Sequence, residues 1–479
     1  MTTAIRPHRV GGRWFETPAT IENRNPSDVS DKVGLYASAD PGVVDEAVAA
    51  ASAAFDGWAV SSPQQRFDIL DRAGGEILAR QEELGELLSR EEGKILAEGR
   101  GEVARAGMVF KFMAGEALRN SGDALPSLRR GLTVEVTREP VGVVGIVTPW
   151  NFPIAIPAWK IAPALACGNT VVFKPAELVP ASAWALVDIL VRAGLPEGVL
   201  NLVMGPGRTV GQAIMQHPGV DAVSFTGSVA TGRRVIATVA GRGARVQAEM
   251  GGKNPFVVLD DADLDVAVEA VVNGSFYSTG QRCTASSRII ATEKIHDRFV
   301  AALRERVGAL RVGHALDPRS EIGPVVDERQ FQQDLDYIRV GREEGAKLEV
   351  GGEPVKRDTE GYFLQPALFT DTNNDMRINR EEIFGPVASV IRVRDYEEAL
   401  AVSRDTEFGL SAGIATTSLK HAQHFKRHAR SGMVMVNVAT AGVDYHVPFG
   451  GTRASSYGPR EQGSYAREFF TTVKTAYTG

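Results

Sequence analysis

The stretch that decides the fold reads Val143-Val144-Gly145-Ile146-Val147-Thr148-Pro149-Trp150-Asn151-Phe152-Pro153. Its first five residues form an uninterrupted apolar run, which is typical of a strand buried on both faces. Two prolines then stiffen the turn around Asn151, because each proline fixes its own φ and restricts the residue before it. An amide held in this way is either a plain turn residue or an N–H donor for a developing oxyanion.

Strands and helices alternate along the chain from this stretch onward. The pattern predicts buried strands over 143–147, 170–173, 199–203 and 221–225. It predicts helices between them over 180–192, 208–216 and 229–239. Strict alternation favours a parallel sheet with right-handed crossovers, which is an architecture typical of nucleotide-binding domains.

A second alternation follows Glu249, with predicted strands over 256–259 and 288–291 and helices over 264–277 and 295–310. Helical spacing over 40–112 predicts surface helices that pack on a sheet. The segments 132–138 and 467–477 both have the pattern of strands, and we expect them to pair with each other or with another subunit.

These patterns predict an α/β fold with two parallel-sheet domains and a small β arm. We expect a Rossmann-like cofactor-binding domain over 1–125 and 140–248 and a catalytic domain over 249–440. The segments 126–139 and 465–479 would then form an oligomerisation arm.

The composition favours an ordinary globular protein over a nucleic-acid-binding, secreted or membrane-spanning one. The chain has 479 residues, of which 43% are hydrophobic and 23% charged, as in ordinary globular proteins of two or three domains. A net charge of -6 gives no basic footprint for nucleic acid. The amino terminus lacks the apolar core of a secretory signal, and no run approaches the ~20 apolar residues that span a bilayer. We therefore expect a cytoplasmic protein with no nucleic acid and no membrane as partner.

The two cysteines differ in their surroundings. Cys167 ends an apolar helical stretch and is expected in the core, whereas Cys283 follows Gly280-Gln281-Arg282 among small polar residues. Cys283 is either a structural loop cysteine or a thiol presented to a ligand. The cysteines form no CxxC motif and no HxxxH motif adjoins either of them in sequence, so we expect no metal site.

Three further motifs lie at predicted strand ends. Glu249 precedes two glycines, which suits either a turn residue or a carboxylate aimed into a cleft. Lys174 and Glu177 offer a cation and a carboxylate for ribose hydroxyls or an adenosine phosphate. Gly227 and Ser228 open a helix whose free N–H groups favour a pyrophosphate. A GxGxxG motif is absent, so a dinucleotide would bind in a variant mode.

Together these motifs resemble the aldehyde dehydrogenase superfamily, over essentially the whole chain. The matching segments, in the family's order, are Pro149-Trp150-Asn151-Phe152-Pro153, Phe173-Lys174-Pro175-Ala176-Glu177, Phe225-Thr226-Gly227-Ser228, Glu249-Met250-Gly251-Gly252-Lys253, Gly280-Gln281-Arg282-Cys283, Glu382-Ile383-Phe384-Gly385-Pro386 and Pro448-Phe449-Gly450-Gly451.

The resemblance implies oxidation of an aldehyde to a carboxylic acid with NAD or NADP through a cysteine thioester. It implies that Cys283 is the nucleophile, that Asn151 holds the oxyanion and that Glu249 activates the hydrolytic water. A carboxylate at Glu249 distinguishes the hydrolytic branch from the branch that transfers the acyl group to coenzyme A.

The same resemblance implies a set of cofactor-binding residues: Trp150, Lys174, Glu177, Gly227, Ser228, Glu382 and Phe384. Glu382 and Phe384 would contact the nicotinamide ribose and ring. A carboxylate at Glu177 would repel a 2'-phosphate, which favours NAD slightly.

Several segments resemble the 2-oxoglutarate-semialdehyde (2,5-dioxovalerate) dehydrogenases, and imply a small carboxylated aldehyde as substrate. The expected substrate residues are Trp159, Arg282, His446 and Phe449. Arg282 is the candidate cation for the carboxylate, unless it pairs with a structural acid, and His446 is either a pocket residue or a loop histidine. One departure from the family pattern is Thr452-Arg453-Ala454, where a basic residue first and a glycine third would be expected.

Alternative interpretations remain open at this point. Trp159 and Phe449 would also suit a broad-range or aromatic aldehyde dehydrogenase. Succinate-semialdehyde dehydrogenases usually have arginine in place of Trp159, which weakens that assignment. A non-catalytic binding protein is a further alternative, and the family resemblance implies a homodimer or homotetramer.

Overall fold

A computed structural model describes residues 4–479, beginning with a strand-rich segment. The strands are β1 (Ile5–Arg6), β2 (His8–Val10), β3 (Arg13–Phe15), β4 (Thr20–Asn25) and β5 (Asp28–Ala37). The sequence pattern predicted none of them. Most are short, and β4 and β5 pair with irregular register, so alternation is hard to recognise.

Four helices follow, as the helical spacing over 40–112 predicts. They are α1 (Pro41–Ala59), α2 (Pro63–Ala79), α3 (Gln81–Glu92) and α4 (Leu96–Ala117). The Asp40 carboxylate accepts from the N–H groups of Gly42 and Val43 and so caps α1, while Gly93 at φ 98° ends α3. The helix α4 extends beyond the predicted region, to Ala117.

The strands β6 (Asp123–Pro126) and β7 (Thr133–Pro140) form a hairpin next in the chain, and the first parallel unit follows it. Its strands are β8 (Val143–Val147), β9 (Thr170–Lys174), β10 (Leu200–Leu202), β11 (Ala222–Thr226) and β12 (Arg245–Glu249). Its helices are α5 (Ala155–Ala166), α6 (Pro180–Arg192), α7 (Gln212–Gln216) and α8 (Val229–Gly241). The predicted alternation is confirmed, and a wider helical turn over Gly207–Gly211 replaces the start of the helix predicted over 208–216.

The second alternating unit is longer than predicted. Its strands are β13 (Pro255–Val258), β14 (Arg288–Thr292), β15 (Lys347–Val350), β16 (Ala367–Thr372), β17 (Val387–Val393), β18 (Ser411–Ala415) and β19 (Met433–Val436). Its helices are α9 (Leu264–Phe276), α10 (Glu293–Gly308), α11 (Glu328–Glu343), α12 (Arg377–Arg380), α13 (Tyr396–Arg404) and α14 (Leu419–His428).

The carboxyl-terminal region adds β20 (Ser456–Tyr457), α15 (Arg467–Phe470) and β21 (Thr471–Thr478). The strand predicted from 467 is wrong in its first part, because Phe469 and Phe470 lie in α15 with both rings buried in the core. The strand β21 pairs antiparallel with β7 along its whole length, from Thr471 opposite Pro140 to Thr478 opposite Thr133. The predicted pairing of the two strand-like segments is therefore confirmed within one chain.

The strands form two large sheets and two small ones. The eight-stranded sheet has the order β20-β12-β11-β8-β9-β10-β2-β3, and the seven-stranded sheet has the order β15-β16-β17-β14-β13-β18-β19. The central strands β12, β11, β8, β9 and β10 run parallel, so their carboxyl ends meet at one edge. The small sheets have the orders β1-β5-β4 and β21-β7-β6. The fold is thus the predicted α/β architecture of two parallel-containing sheets.

We propose the domain division predicted from sequence, with the boundary at Glu249, the last residue of β12. The strand β6 pairs with β7, which supports starting the arm at about 123 instead of 126. Within residues 4–479, no helix is both long and apolar enough to cross a membrane.

Candidate active site

A cavity of about 620 Å³ opens at the carboxyl edge of the eight-stranded sheet. The residues predicted to bind a cofactor all line it: Trp150, Lys174, Glu177, Gly227, Ser228, Glu382 and Phe384. Asn151 and Cys283 line the same cavity. The first five of the predicted cofactor residues lie at or just after the ends of β8, β9 and β11, whereas Glu382 and Phe384 come from the segment between α12 and β17.

The charges around this cavity suit a dinucleotide. The buried Lys174 donates to the Pro175 carbonyl at 2.6 Å, and desolvation lowers its pKa to about 8. The exposed carboxylate of Glu177 lies near enough to oppose that shift. Ser228 caps α8, whose first turn presents N–H groups and a positive end to the cavity, and the Thr226 hydroxyl is buried there without a partner among residues 4–479. A cation, a carboxylate and a helix terminus complement an adenosine ribose and a pyrophosphate, so the residues fit NAD or NADP.

Two aromatic rings close one side of this cavity. The rings of Trp150 and Phe384 pack edge to face with centroids 5.4 Å apart, and Phe384 takes a positive φ of 66°. Nearby, Glu382 accepts from the Gly252 N–H at 2.9 Å, and burial raises its pKa to about 7.

A second cavity, of about 300 Å³, reaches Cys283 between α4, α5 and the loop after β19. Trp159, Arg282 and Phe449 line it, as predicted for substrate residues. Cys283 and Ile156 line both cavities, so the thiol lies where the two meet.

The loop that carries Cys283 is held at several points. Ser278 and Thr279 take positive φ values of 52° and 57°, and a Cβ on Gly280 would lie 2.2 Å from the Gly385 carbonyl oxygen. This close approach requires glycine. Asn254 donates to the carbonyls of Cys283 at 2.8 Å and Ala285 at 2.9 Å, which fixes the loop directly at the thiol.

The Cys283 thiol is protonated at neutral pH in this environment. Burial raises its pKa to about 12, and the carboxyl groups of Glu382, Glu249 and Glu461 act in the same direction. Since the thiolate is the nucleophile, attack requires that this proton be lost.

Asn151 is buried beside the thiol, and its amide donates to the Gln281 carbonyl at 2.9 Å. The backbone carbonyl of Asn151 accepts from Lys94 Nζ at 2.7 Å. The Lys94 ammonium also donates to Glu102 at 2.6 Å and lies 3.8 Å from the centroid of the Phe152 ring. The turn that the two prolines stiffen is therefore also anchored to α4 by a buried cation.

Glu249 ends β12 but lines neither cavity. One of its carboxyl oxygens accepts from the Ser456 hydroxyl at 2.5 Å, and the other is buried without a hydrogen-bond partner in residues 4–479. Burial, and then the neighbouring Glu461 carboxyl, raise the pKa of Glu249 well above its usual range. Its surroundings thus favour the protonated carboxyl group more than water does.

A buried polar cluster continues from Glu249 through Glu461. Glu461 accepts from the indole N–H of Trp159 at 2.7 Å and forms an ion pair with Lys160, whose ammonium donates to the Ser224 hydroxyl at 2.8 Å. This cluster fixes the Trp159 ring, which packs against Phe449 with centroids 5.6 Å apart.

Arg282 lines the second cavity, but its charge is already paired. Its guanidinium donates to Glu98 at 2.9 Å, to the Ser278 hydroxyl at 2.9 Å and to the Asn273 carbonyl at 3.1 Å. The structure therefore favours the alternative interpretation of Arg282, a pair with a structural acid. His446 is exposed and lines neither cavity, which favours the loop-histidine interpretation.

Sequence reasoning missed the cation that replaces Arg282 as the candidate anchor. Arg105, on α4, lines the second cavity, and its guanidinium lies 5.5 Å from the centroid of the Trp159 ring. It donates to Gln462 at 2.9 Å. The available signal was an arginine within the mostly apolar sequence of α4, but nothing local indicated which face of the helix it occupies.

Comparisons with known proteins agree with this geometry. The family model described as "Aldehyde dehydrogenase family" matches residues 14–476. The chain is 44% identical over 473 residues to an alpha-ketoglutarate semialdehyde dehydrogenase of Haloferax volcanii, with 98% of each chain covered. It is 42% identical over 472 residues to the alpha-ketoglutaric semialdehyde dehydrogenase of Bacillus subtilis, with 98% of this chain and 97% of the relative covered.

A solved structure has the same fold. The betaine aldehyde dehydrogenase of Staphylococcus aureus in complex with NAD+ superposes with a TM-score of 0.96 at 31% identity, covering 100% of this chain and 95% of that chain.

Proposed function

The chain belongs to the aldehyde dehydrogenase family, and on that premise we propose that it oxidises a small carboxylated aldehyde, with 2-oxoglutarate semialdehyde as the preferred substrate. It is an NAD(P)-dependent oxidoreductase. The observation that carries the substrate proposal is the charge of the cavity that leads to Cys283. Its lining contains three cations, Lys94, Arg105 and Arg282, but only two carboxylates, Glu98 and Glu102.

We propose Cys283 as the nucleophile, because its thiol lies where the two cavities meet. Its sulfur attacks the aldehyde carbon, and an N–H of Asn151 donates to the oxygen that becomes negatively charged. The residues of the larger cavity, among them Lys174, Ser228 and Glu382, would hold NAD or NADP, which would supply the acceptor for the hydride on this carbon. The acyl group then remains on the Cys283 sulfur as a thioester.

We propose Glu249 as the general base for hydrolysis of the thioester. To act, its carboxylate must turn from Ser456 toward Cys283, since it lines neither cavity in the resting arrangement. Burial raises the pKa of Glu249, which makes its carboxylate a stronger proton acceptor than an ordinary one, as base catalysis requires.

The volume of the second cavity supports a short substrate. At about 300 Å³, it stands at the lower end of the range for small-molecule sites. Two relatives at 42% and 44% identity are named for alpha-ketoglutarate semialdehyde, a short aldehyde with one carboxylate.

A cationic aldehyde fits this cavity less well. The structural relative from Staphylococcus aureus is named for betaine aldehyde, which carries a quaternary ammonium group. A net positive lining repels such a group, and only Trp159, Phe152 and Phe449 supply aromatic faces. These rings support an apolar aldehyde as the second candidate.

For the cofactor we propose a modest preference for NAD. The carboxylate of Glu177 stands at the adenosine end of the first cavity, where it would accept from a 2'-hydroxyl and repel a 2'-phosphate.

We propose that the arm of β6, β7 and β21 joins subunits in a homodimer or homotetramer. Large apolar side chains are exposed on and beside this sheet: Leu125, Leu128, Val473 and Tyr477. We also propose a cytoplasmic location, because Cys167 and Cys283 are both free and a reducing compartment keeps the Cys283 thiol reactive.

The test is a substrate panel on the purified enzyme with NAD and with NADP. We expect kcat/KM to be highest for 2-oxoglutarate semialdehyde, lower for succinate semialdehyde, and lowest for benzaldehyde and betaine aldehyde. A preference for benzaldehyde would replace the carboxylate proposal with the apolar one.

A further inference from the structure

The second cavity contains one cation more than its own acids can pair. Lys94 donates to Glu102, and Arg282 donates to Glu98. These two pairs use both carboxylates of the lining, which leaves Arg105 as the remaining cation among the lining residues within 4–479.

The Arg105 guanidinium is held in place yet largely unused. One N–H donates to Gln462, whose backbone takes a positive φ of 60°, and the Trp159 ring supports it at 5.5 Å. Its Nε is buried and has no hydrogen-bond partner in the described part of the chain. The bond to Gln462 is the one hydrogen bond that the guanidinium makes within residues 4–479, so its other terminal N–H groups remain available to a ligand.

The platform beneath Arg105 is rigid. The Trp159 indole donates to Glu461, and Phe449 packs against the same ring system, so the guanidinium rests on a surface fixed from behind. Burial lowers the pKa of Arg105, the carboxylates of Glu102 and Asp444 act in the opposite direction without a hydrogen bond to it, and an arginine stays charged at neutral pH. A planar cation with free donors, fixed in a cavity that ends at a thiol, matches a carboxylate through two parallel N–H bonds.

We propose that Arg105 binds the carboxylate of the substrate and thereby selects monoanionic aldehydes, with Gln462 as the residue that orients its guanidinium. This inference rests on the proposed function and names the group that determines its substrate class. Arg105 is the one surplus cation of the lining, so it matches a substrate with one negative charge. Arg282 instead stabilises the loop that carries Cys283, because Glu98 accepts from both Arg282 and Ser278.

The test compares Arg105→Met with the matched variant Arg282→Met, which removes a guanidinium from the same cavity. The readout is the ratio of kcat/KM for 2-oxoglutarate semialdehyde to that for pentanal, an uncharged aldehyde of the same length. In Arg105→Met we expect this ratio to fall about 100-fold, mainly through KM, because a charge-assisted pair is lost. Turnover of pentanal should fall by less than about threefold, since pentanal has no group for the guanidinium. Arg282→Met should lower both activities together, because it releases Glu98 and loosens the Cys283 loop.

A second readout does not depend on oxidation of the charged aldehyde. Glutarate should inhibit pentanal oxidation competitively in the wild type, and its Ki should rise in Arg105→Met. If Arg105→Met does not fold, Arg105→Lys replaces it; that variant keeps the charge but not the planar fork, so we expect the substrate ratio to fall about tenfold.

Failure of the inference can be told from failure of the proposed function. A wild type without preference for the semialdehyde over pentanal would overturn the proposed function. A wild type with that preference, together with Arg105 variants that keep it, would overturn only the role of Arg105. A selective loss in Arg282→Met instead would assign the carboxylate to Arg282.

Discussion

The two cavities that meet at Cys283 differ in how their parts are encoded. Most residues lining the larger cavity lie at the last positions of parallel strands or directly after them, so short motifs in chain order carry them. The smaller cavity is assembled from α4, α5, the Cys283 loop and residues 441–449. The difference teaches that the residues of the cofactor cavity can be recognised from short sequence motifs. The residues of the substrate cavity come from helices that are brought together only in the folded chain.

Replacing Cys283, the thiol that lines both cavities, should give the largest effect. We expect Cys283→Ala to lower the rate of aldehyde oxidation by at least about 10⁴-fold, because the covalent step is lost. Both substrates and both cofactors should be affected alike, in assays of reduced-cofactor absorbance. The matched control is Cys167→Ser, which replaces a buried thiol that lines neither cavity and should retain turnover with a lower Tm. Residual turnover above about 1% in Cys283→Ala would assign the nucleophile elsewhere.

The next effect concerns a residue that lies outside both cavities at rest. In Glu249→Gln we expect one rapid turnover of cofactor per active site, followed by a steady-state rate lower by about 10²- to 10³-fold, because the thioester forms but hydrolyses slowly. Stopped-flow absorbance measures both phases. Glu381→Gln is a suitable control, since that carboxylate accepts from Arg377 and Tyr337 and lines neither cavity. An undiminished steady-state rate in Glu249→Gln would show that another group is the base.

The thiol itself provides a pH test of the site where the cavities join. With its pKa raised to about 12, the Cys283 thiolate fraction in the free enzyme is small at neutral pH and grows as pH rises. Alkylation by iodoacetamide should therefore accelerate about tenfold per pH unit from pH 7 to pH 10, without a plateau. A Cys167→Ser background leaves Cys283 as the sole thiol. A plateau near pH 7 would mean that the thiol is activated before any ligand binds.

Much of the fold could be predicted from the sequence, because buried parallel strands give continuous apolar runs and helices have their own period. The prediction was weakest where strands are short or irregular, as in β1 to β5, and where a strand pattern hid a helical turn, as at Phe469 and Phe470. Those two phenylalanines are consecutive, so they do not show the apolar–polar alternation of a half-exposed strand. Both rings are buried because α15 packs them into the core.

The site residues likewise differ in how well the sequence predicts them. The positions of Lys174, Ser228 and Cys283 followed from strand ends and glycines, but the partner of a charged side chain cannot be read from its neighbours in sequence. Arg282 adjoins the nucleophile and nevertheless pairs with Glu98, which is 184 residues away. Arg105 is remote in sequence and yet lines the cavity, because α4 packs against α5 and brings the two into one wall.

The smallest expected effect distinguishes the two cavities most cleanly. Glu177 is exposed at the cofactor end, so solvent screens its repulsion of a 2'-phosphate. Glu177→Gln should therefore raise the ratio of kcat/KM with NADP to that with NAD by only about two- to fivefold. The ratio between 2-oxoglutarate semialdehyde and pentanal should not change, because Glu177 lines only the larger cavity. Arg105→Met should show the opposite pattern, so a variant that changes both ratios together would break the separation of cofactor choice from substrate choice.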